Sequence, residues 1–270
     1  MSLTSFIKNS DVKERFLHEF PKPLFNQKKE LLAPPVTNHY ASVGTAFDYL
    51  LRFYLEQLNP IAVSKHWVAE AAHELVANNE RIGNMTSKII ADAKANRATC
   101  LKTGQINDNL LRSAILLAQL DPIFRAGVID ENIGIVDDND ILDLKNLISI
   151  VQPNIFKARD LCLLDPTFGM ASTLVGGADV DLVLDDMIID IKTTKNFELQ
   201  RDYFNQLIGY YTLYRIAGID GMPPNHDIRR IGIYFSRHGY LHLINVQEVI
   251  NENSFSEFIE WFKARASMGV

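Results

Sequence analysis

The sequence predicts an α/β fold with a helical N-terminal portion, and three observations carry this prediction. Apolar residues recur at helical spacing between residues 44 and 151, whereas short runs rich in β-branched residues begin after about residue 165. The later part has the order β-β-α-β-β-α, which is typical of a sheet covered by helices. The chain has 270 residues, 47% of them hydrophobic, which suffices for one large domain. We expect a helical portion over about 1–160 and an α/β core over about 161–270 that also includes a helix at 44–58.

The N-terminal portion is predicted to be irregular at first and then helical. Residues 1–43 contain prolines at positions 21, 23, 34 and 35, which disfavour regular structure. The first predicted helix, 44–58, has an apolar face made of Phe47, Leu50, Leu51, Tyr54 and Leu58. The same spacing predicts helices at 61–79, 80–98, 106–120 and 135–151, the last with an Asp or Asn cap near 137–140.

The C-terminal portion is predicted to contain two hairpins and two helices. The stretches GMASTLVGGADVDLVL (169–184) and MIIDIKTT (187–194) predict strands of a first hairpin. The stretch 201–218 predicts a helix that ends at Gly218. IRRIGIYFSRHGYLHLINV (228–246) predicts a second hairpin that turns at His238-Gly239, and 254–266 predicts a closing amphipathic helix.

Composition and charge limit the classes of function. The net charge of −6 argues against a general coating of nucleic acid, although it leaves room for a local cleft. Cys100 and Cys162 stand far apart and form neither a disulfide framework nor a metal-binding pattern. The N-terminus has no apolar signal-peptide region, and no apolar run reaches the roughly 18 residues of a membrane helix. We therefore expect a cytoplasmic protein without membrane association.

The first hairpin places several charged residues on one face. With a two-residue turn at Asp185-Asp186, the apolar residues of the two strands pair on one side, with Val180 facing Ile191 as the outermost pair. On the other side, Asp181 is opposite Asp190, and Asp179 is opposite Lys192. Directly opposed Cβ atoms lie about 4.5–5.5 Å apart, so three carboxylates and one ammonium group meet.

These opposed carboxylates need a partner. Two like charges about 4 Å apart at an effective dielectric near 20 repel by roughly 4 kcal/mol, and one lysine cannot offset three acids. Oxygen ligands select hard cations, so Mg²⁺ or Mn²⁺ is the expected partner. The alternative is a solvated face whose acids point into water. That alternative suits the turn residues Asp185 and Asp186, but it suits Asp190 poorly, because isoleucines flank it.

This combination of residues resembles the PD-(D/E)XK nuclease superfamily. The hairpin has an aspartate followed by Asp190-Ile191-Lys192, and the next helix carries QLIGY, with Gln206 and Tyr210 in a QxxxY arrangement. The stretch from Gly176 to Asp179 resembles a GxxD pattern, and GTAFD at 44–48 resembles the GTxFH segment of the RecB-like and CRISPR-associated exonuclease branch. The resemblance covers about 165–250 well and 40–58 weakly.

The resemblance implies a restriction-endonuclease-like core and a metal-dependent nuclease, most often an exonuclease acting on DNA. It implies that two acids and the carbonyl of Ile191 hold the metal, and that Lys192 orients water or stabilises the phosphate. The GxxD pattern favours Asp179 as the first acid, whereas pairing with Asp190 favours Asp181, so both remain candidates. Asp48 stands where the family often has a metal-binding histidine, and because an aspartate can also ligate Mg²⁺, Asp48 is a further candidate metal ligand. The cysteines of the iron–sulfur members are absent, so no cluster is expected.

Other assignments remain open at this point. Gln206 and Tyr210 share a helix face. The resemblance implies that this face looks onto the site, although Tyr210 also fits core packing among other tyrosines. Five basic residues are candidates for phosphate contacts, and each could equally be a solvated surface charge: Lys195, Arg201, Arg229, Arg230 and Arg237. The expected partners are DNA and proteins of a repair, recombination or phage-related complex. The rival functions are a non-cleaving nucleic-acid-binding module and a nucleotidyltransferase that uses the two acids of DVDL.

Overall fold

A computed structural model of the chain describes residues 2–268. Its helices are α1 (Leu3–Phe6), α2 (Ser10–Glu19), α3 (Tyr40–Leu58), α4 (Val68–Val76), α5 (Glu80–Thr103), α6 (Asp108–Ala118), α7 (Asp121–Ala126), α8 (Asp138–Ser149), α9 (Pro153–Phe156), α10 (Met170–Leu174), α11 (Arg201–Ala217), α12 (Val246–Val249) and α13 (Glu252–Ser267). Its strands are β1 (Val63–Ser64), β2 (Cys162–Leu164), β3 (Leu182–Leu184), β4 (Met187–Lys192), β5 (Arg230–Phe235) and β6 (Tyr240–Asn245).

The strands of the described residues form one mixed sheet in the order β1-β2-β3-β4-β5-β6. The β1–β2 and β4–β5 pairs are parallel, and the other neighbours are antiparallel. Since parallel neighbours need a crossover connection, α11 joins β4 to β5 across one face of the sheet. The predicted α/β class is therefore confirmed, with helices on both faces of the sheet.

Two hydrophobic cores lie on opposite faces of the sheet. In the first core, the helices α3 through α9 pack against strand residues such as Leu182 and Ile189. The second core joins α1, α2, α10, α11 and α13 with residues such as Val183, Ile188 and Ile233. Successive strand residues alternate between the cores, because side chains in a strand point to opposite faces. The four central strands, β2 to β5, are mostly buried on both sides, which explains their nearly continuous apolar sequence.

The predicted helices of the N-terminal half are largely confirmed, with two differences. Residues 1–43 are not irregular throughout, because α1 and α2 pack in the second core through Phe6 and Phe16. The segment 61–79 begins with the short strand β1 before α4. The cap expected near 137–140 is Asp137, whose side chain accepts the N–H of Asn139.

The strand predicted over 169–184 is wrong for most of its length. Residues 170–174 form α10, and regular pairing begins only at Leu182. Three glycines lie in or beside this stretch with positive φ, Gly169 at 51°, Gly176 at 75° and Gly177 at 123°, a backbone that bends the chain away from a strand. The other predicted strands, α11 and the C-terminal helix are confirmed. Among the described residues, no helix combines the length and the hydropathy that a membrane crossing requires.

Candidate active site

The candidate site lies at the carboxyl end of β4, where two charged side chains share one face. Asp190 is 2% exposed, and Lys192 Nζ lies 2.7 Å from Asp190 Oδ2. Asp190 and Lys192 are two and four residues after Ile188, which belongs to the second core. Because alternate residues of a strand share a face, both side chains also point toward the second core and α11. Burial raises the pKa of Asp190, although the Lys192 charge opposes this. Asp190 therefore does not belong to a solvated hairpin face.

Asp181 directly precedes the first residue of β3 and lies beside this pair. The β3–β4 ladder ends at Leu182, the residue that follows Asp181 in the chain. Its Oδ2 accepts a hydrogen bond of 2.6 Å from the backbone N–H of Ile191, so a carboxylate serves as the acceptor where the ladder stops. Burial and the carboxylates of Asp190 and Asp48 raise the pKa of Asp181 well above its usual range. The predicted proximity of Asp181 and Asp190 is thus present.

The regular hairpin predicted here is wrong beyond that point. Asp179 does not face Lys192, because it forms an isolated antiparallel bridge with Thr167. Val180 packs in the second core rather than in the first, so it does not share a face with the inward residues of β3. The Val180 N–H donates to the carbonyl of Pro166 at 3.1 Å, which draws this segment away from β4 and toward the chain that follows β2.

Helix α11 supplies the opposite side of the site. Gln206 Oε1 accepts a hydrogen bond from Lys192 Nζ at 2.9 Å, and Gln206 Nε2 donates to the Tyr210 hydroxyl at 2.7 Å. The Tyr210 ring also stacks on Phe168, with centroids 5.7 Å apart, so Tyr210 combines core packing with a role in the site. Burial, together with the nearby carboxylates, raises the pKa of Tyr210 well above its usual value, and the hydroxyl stays protonated at neutral pH.

One cavity of about 220 Å³ collects most of the predicted site residues. Its wall includes Asp179, Asp181, Asp190, Ile191, Lys192, Gln206 and Tyr210. Residues 2–4 at the start of α1 form another part of the cavity wall. Leu3 fixes this wall, because its N–H donates to the carbonyl of Gly177 at 3.0 Å and its side chain lies against Gly209 of α11.

Asp48 lies on α3 beside the other acids, but the guanidinium group of Arg52 forms an ion pair with it. Arg52, one turn later on the same helix, donates to Asp48 Oδ2 at 2.6 Å and to Asp165 Oδ2 at 2.9 Å. Asp48 Oδ1 is buried and accepts no hydrogen bond from the described residues. Burial raises the pKa of Asp48, against the charge of Arg52. The predicted metal ligand is therefore largely neutralised by Arg52.

Three charged residues of the site were missed by sequence reasoning. Asp165 directly follows β2, and burial raises its pKa to about 7. Arg125 of α7 lies 3.4 Å from Asp179 Oδ2, and Arg52 joins Asp48 to Asp165. A signal existed for Asp165, because an acid directly follows the apolar run at 161–164. Nothing in the sequence connects Arg125 to Asp179 across 54 residues.

The charges of the site do not balance when all are ionised. Five aspartates at positions 48, 165, 179, 181 and 190 lie close enough to influence one another, against three cations at 52, 125 and 192. Burial, together with the neighbouring carboxylates, raises the pKa of both Asp181 and Asp165, so a proton can compensate part of this excess. A bound divalent cation would compensate the same excess without protons.

The fit of a divalent cation depends on the donor atoms. No group of three or more His, Cys, Asp or Glu side chains in residues 2–268 is arranged to hold a metal ion. However, Mg²⁺ often takes only one or two protein carboxylates and completes its shell with water and substrate oxygens. Asp190 Oδ2 is buried, and although it is ion-paired with Lys192, it accepts no well-aligned hydrogen bond. The oxygen donors of Asp181 and Asp190 therefore fit such an ion in chemical type.

The basic residues predicted to contact phosphate do not form one rim. Arg237 is 1% exposed and is paired with Asp143 at 2.8 and 3.0 Å, so it has a structural role and is not available to a phosphate. Arg201 donates to the carbonyls of Phe16 and Phe20 at the end of α2. His238, expected at a turn, lies in a short 3₁₀ turn before β6.

The remaining basic residues lie near opposite ends of the neighbouring strands β4 and β5. Arg229 and Arg230 lie at the start of β5, and register places them roughly 16 Å along the strand from the level of Lys192. Arg230 is also paired with Asp186. Lys195 is exposed, follows the last residue of β4 by three positions and has no ion pair among the described residues.

Comparisons with known proteins add no further constraint. No protein-family model, curated protein or solved structure matches the chain. The interpretation of the site therefore depends on its own residues and geometry.

Proposed function

We propose that this protein is a nuclease that hydrolyses DNA phosphodiester bonds with the help of a divalent cation, Mg²⁺ or Mn²⁺. The observation that carries the proposal is the single cavity in which Asp181, Asp190 and Lys192 meet Gln206 and Tyr210. Two buried acids beside a lysine are poorly explained by stability alone, because burial of like charges is costly. They are well suited to a reaction in which charge develops on a phosphate.

The cation would be held by Asp181 and Asp190, with the carbonyl of Ile191 as a third donor. The N–H of Ile191 points to Asp181, and in an extended strand the N–H and C=O of one residue point to the same neighbour. When bound, such an ion polarises the scissile phosphate and lowers the pKa of a coordinated water.

The side chains of the chain itself would orient the substrate and stabilise charge. The carboxylates of Asp190 and Asp181 raise the pKa of Lys192, although burial opposes this, so its ammonium stays protonated. Lys192 can therefore donate to a phosphate oxygen as negative charge develops there. Gln206 fixes the direction of that ammonium, and Tyr210 in turn fixes the amide of Gln206.

Two finer parts of the proposal rest on the resemblance to PD-(D/E)XK nucleases. We propose a restriction-endonuclease-like core, supported by the order of β2, β3 and β4 followed by the α11 crossover to β5. We also propose action from DNA ends, which is the form of activity found in the RecB-like branch. A narrow cavity partly walled by residues 2–4 is compatible with a single strand entering the site.

A non-cleaving nucleic-acid-binding module is the second candidate. One observation favours it: Arg52 pairs with Asp48, the residue to which the family resemblance assigns a possible metal-binding role. A nucleotidyltransferase is less well supported, because Asp179 and Asp181 do not lie on a continuous strand.

The test is digestion of end-labelled linear DNA and closed circular DNA with Mg²⁺ or Mn²⁺, comparing wild type with Asp190→Ala and Lys192→Ala. Asp186→Asn serves as the control, because Asp186 belongs to the same hairpin but lies at the far end of β4. We expect loss of linear DNA only, and a rate at least about 100-fold lower in both site variants. Cleavage of the circular DNA would indicate an endonuclease. If neither DNA is cleaved, with or without the metal ion, the result would favour the binding module.

A further inference from the structure

A second cavity, of about 680 Å³, adjoins the candidate site, and we call it the side cavity. The two cavities share a wall made of Arg125, Asp179 and the Gly177-Ala178 backbone. The side cavity lies within the roughly 300–1,000 Å³ typical of small-ligand pockets, whereas the candidate site is smaller than that range. A substrate whose reacting group occupies the site therefore has room for an attached group in the side cavity.

The side cavity is lined by two aromatic residues of different exposure. Trp67 is 6% exposed and packs on Phe53 at 5.4 Å between ring centroids, so it belongs to the first core. Phe124 of α7 is 50% exposed, although it immediately precedes Arg125 at the shared wall. An exposed aromatic ring beside a cavity is a suitable surface for stacking a planar group.

Three basic side chains line the side cavity, together with the acids Asp165 and Asp179. Lys65, His66 and Arg125 have side chains that are 43%, 96% and 54% exposed. Lys65 is paired with Asp220, and Arg125 is paired with Asp179. Exposed ion pairs contribute only about 0–1 kcal/mol, so a phosphate can replace the acid partner at little cost. A chain of net charge −6 thus presents three basic side chains in the cavity that adjoins the candidate site.

We propose that the side cavity is a nucleobase subsite for unpaired DNA. The base next to the scissile phosphodiester stacks on Phe124, and its flanking phosphate lies toward Arg125 and Lys65. A base in a duplex is already stacked and paired, so the subsite favours single-stranded DNA. This inference rests on the proposed function, since it assigns the substrate form that the same site accepts.

The test measures binding of a fluorescently labelled single-stranded oligodeoxynucleotide by anisotropy, in EDTA so that no cleavage occurs. The proteins are wild type, Phe124→Ala, Phe124→Trp and the control Val128→Ala. Val128 is 55% exposed and lies just after α7, and it does not line the side cavity. Both positions are exposed, so the substitutions leave the fold intact, which thermal unfolding checks. A second oligonucleotide of the same length has abasic sites in place of its bases.

We expect Phe124→Ala to weaken binding about 5- to 150-fold, since stacking of one base contributes ~1–3 kcal/mol. Phe124→Trp retains affinity, Val128→Ala has no effect, and the abasic oligonucleotide binds wild type as weakly as it binds Phe124→Ala. Equal affinity of wild type and Phe124→Ala, or equal affinity for intact and abasic DNA, overturns the subsite.

Cleavage assays on the same proteins separate this inference from the proposed function. Metal-dependent cleavage without any dependence of binding on Phe124 leaves the nuclease proposal standing and removes the subsite. Base-dependent binding through Phe124 without cleavage supports the subsite and removes the nuclease proposal.

Discussion

The buried ion pair between Arg237 and Asp143 provides a sharp test of how the two portions of the chain are joined. Arg237 follows β5, and Asp143 lies on α8, and both side chains are at most 1% exposed. Arg237 also donates to the carbonyl of Ala33 at 3.0 Å. Replacement by methionine would leave a buried carboxylate with the Val36 N–H, at 3.3 Å, as its remaining donor.

Removal of one partner of a buried pair typically costs ~3–5 kcal/mol, because the other charge stays buried without compensation. We expect Arg237→Met to lower the free energy of unfolding by that amount in urea titrations. The double variant Arg237→Met/Asp143→Leu removes both charges and should recover most of the loss. A single variant within about 0.5 kcal/mol of wild type, or a double variant no better than the single, would refute the reasoning. Weaker DNA binding at unchanged stability would restore Arg237 as a phosphate contact.

Three further predictions concern the walls of the site and the hairpin turn. A Cβ at Gly209 would lie 3.0 Å from the Leu3 side chain, so Gly209→Ala should displace residues 2–4, cost ~1–3 kcal/mol in denaturant titrations and alter the relative cleavage rates of single- and double-stranded DNA. Tyr210→Phe keeps the ring but removes the hydroxyl that Gln206 contacts, so kcat/KM should fall about 5- to 10-fold, and the free energy of unfolding should fall by about 1 kcal/mol because the buried Gln206 amide loses its acceptor. Three backbone N–H groups bind the Asp185 carboxylate and, despite burial, hold its pKa below the usual value of about 3.9. Asp185 therefore stabilises the fold above about pH 4, and the stability gap between wild type and Asp185→Asn, measured by unfolding across pH 2–7, should shrink as pH falls below that value.

The parts of the fold that depend on local signals were predictable. The two-residue turn and the pairing of β3 with β4 follow from alternating apolar residues around two turn-forming aspartates. Asp185 has a positive φ of 49°, a conformation that aspartate tolerates better than most residues. No local pattern indicates that its carboxylate also accepts three backbone N–H groups from the segment before β2.

The candidate site was predictable only in part, because some of its contacts join distant segments. Asp181, Asp190, Lys192 and the two residues of α11 lie within 30 residues of one another, so strand and helix periodicity brings them together. Asp179 leaves the hairpin because it pairs with Thr167, in the segment after β2. Such pairing reflects tertiary competition for backbone hydrogen bonds, which periodicity does not encode.

Charge alone was a poor guide to the role of a basic residue. Arg237 and Arg201 were candidates for phosphate contacts, but both use their guanidinium groups to satisfy buried acceptors within the fold. Arg52 could have been noticed, since it stands four residues after Asp48 on a predicted helix. That spacing predicts an ion pair, and the ion pair changes the expected role of Asp48.

The most direct measurement of the central claim is a calorimetric titration of the purified protein with Mn²⁺. It compares wild type with Asp181→Asn and Asp190→Asn, and Asp186→Asn, in the same hairpin, is the control. Our expectation is a Mn²⁺-binding site in wild type and in the control, with affinity lost in both site variants because the carboxylates of Asp181 and Asp190 hold the ion. Equal Mn²⁺ binding in all four proteins, or none in wild type, would contradict it.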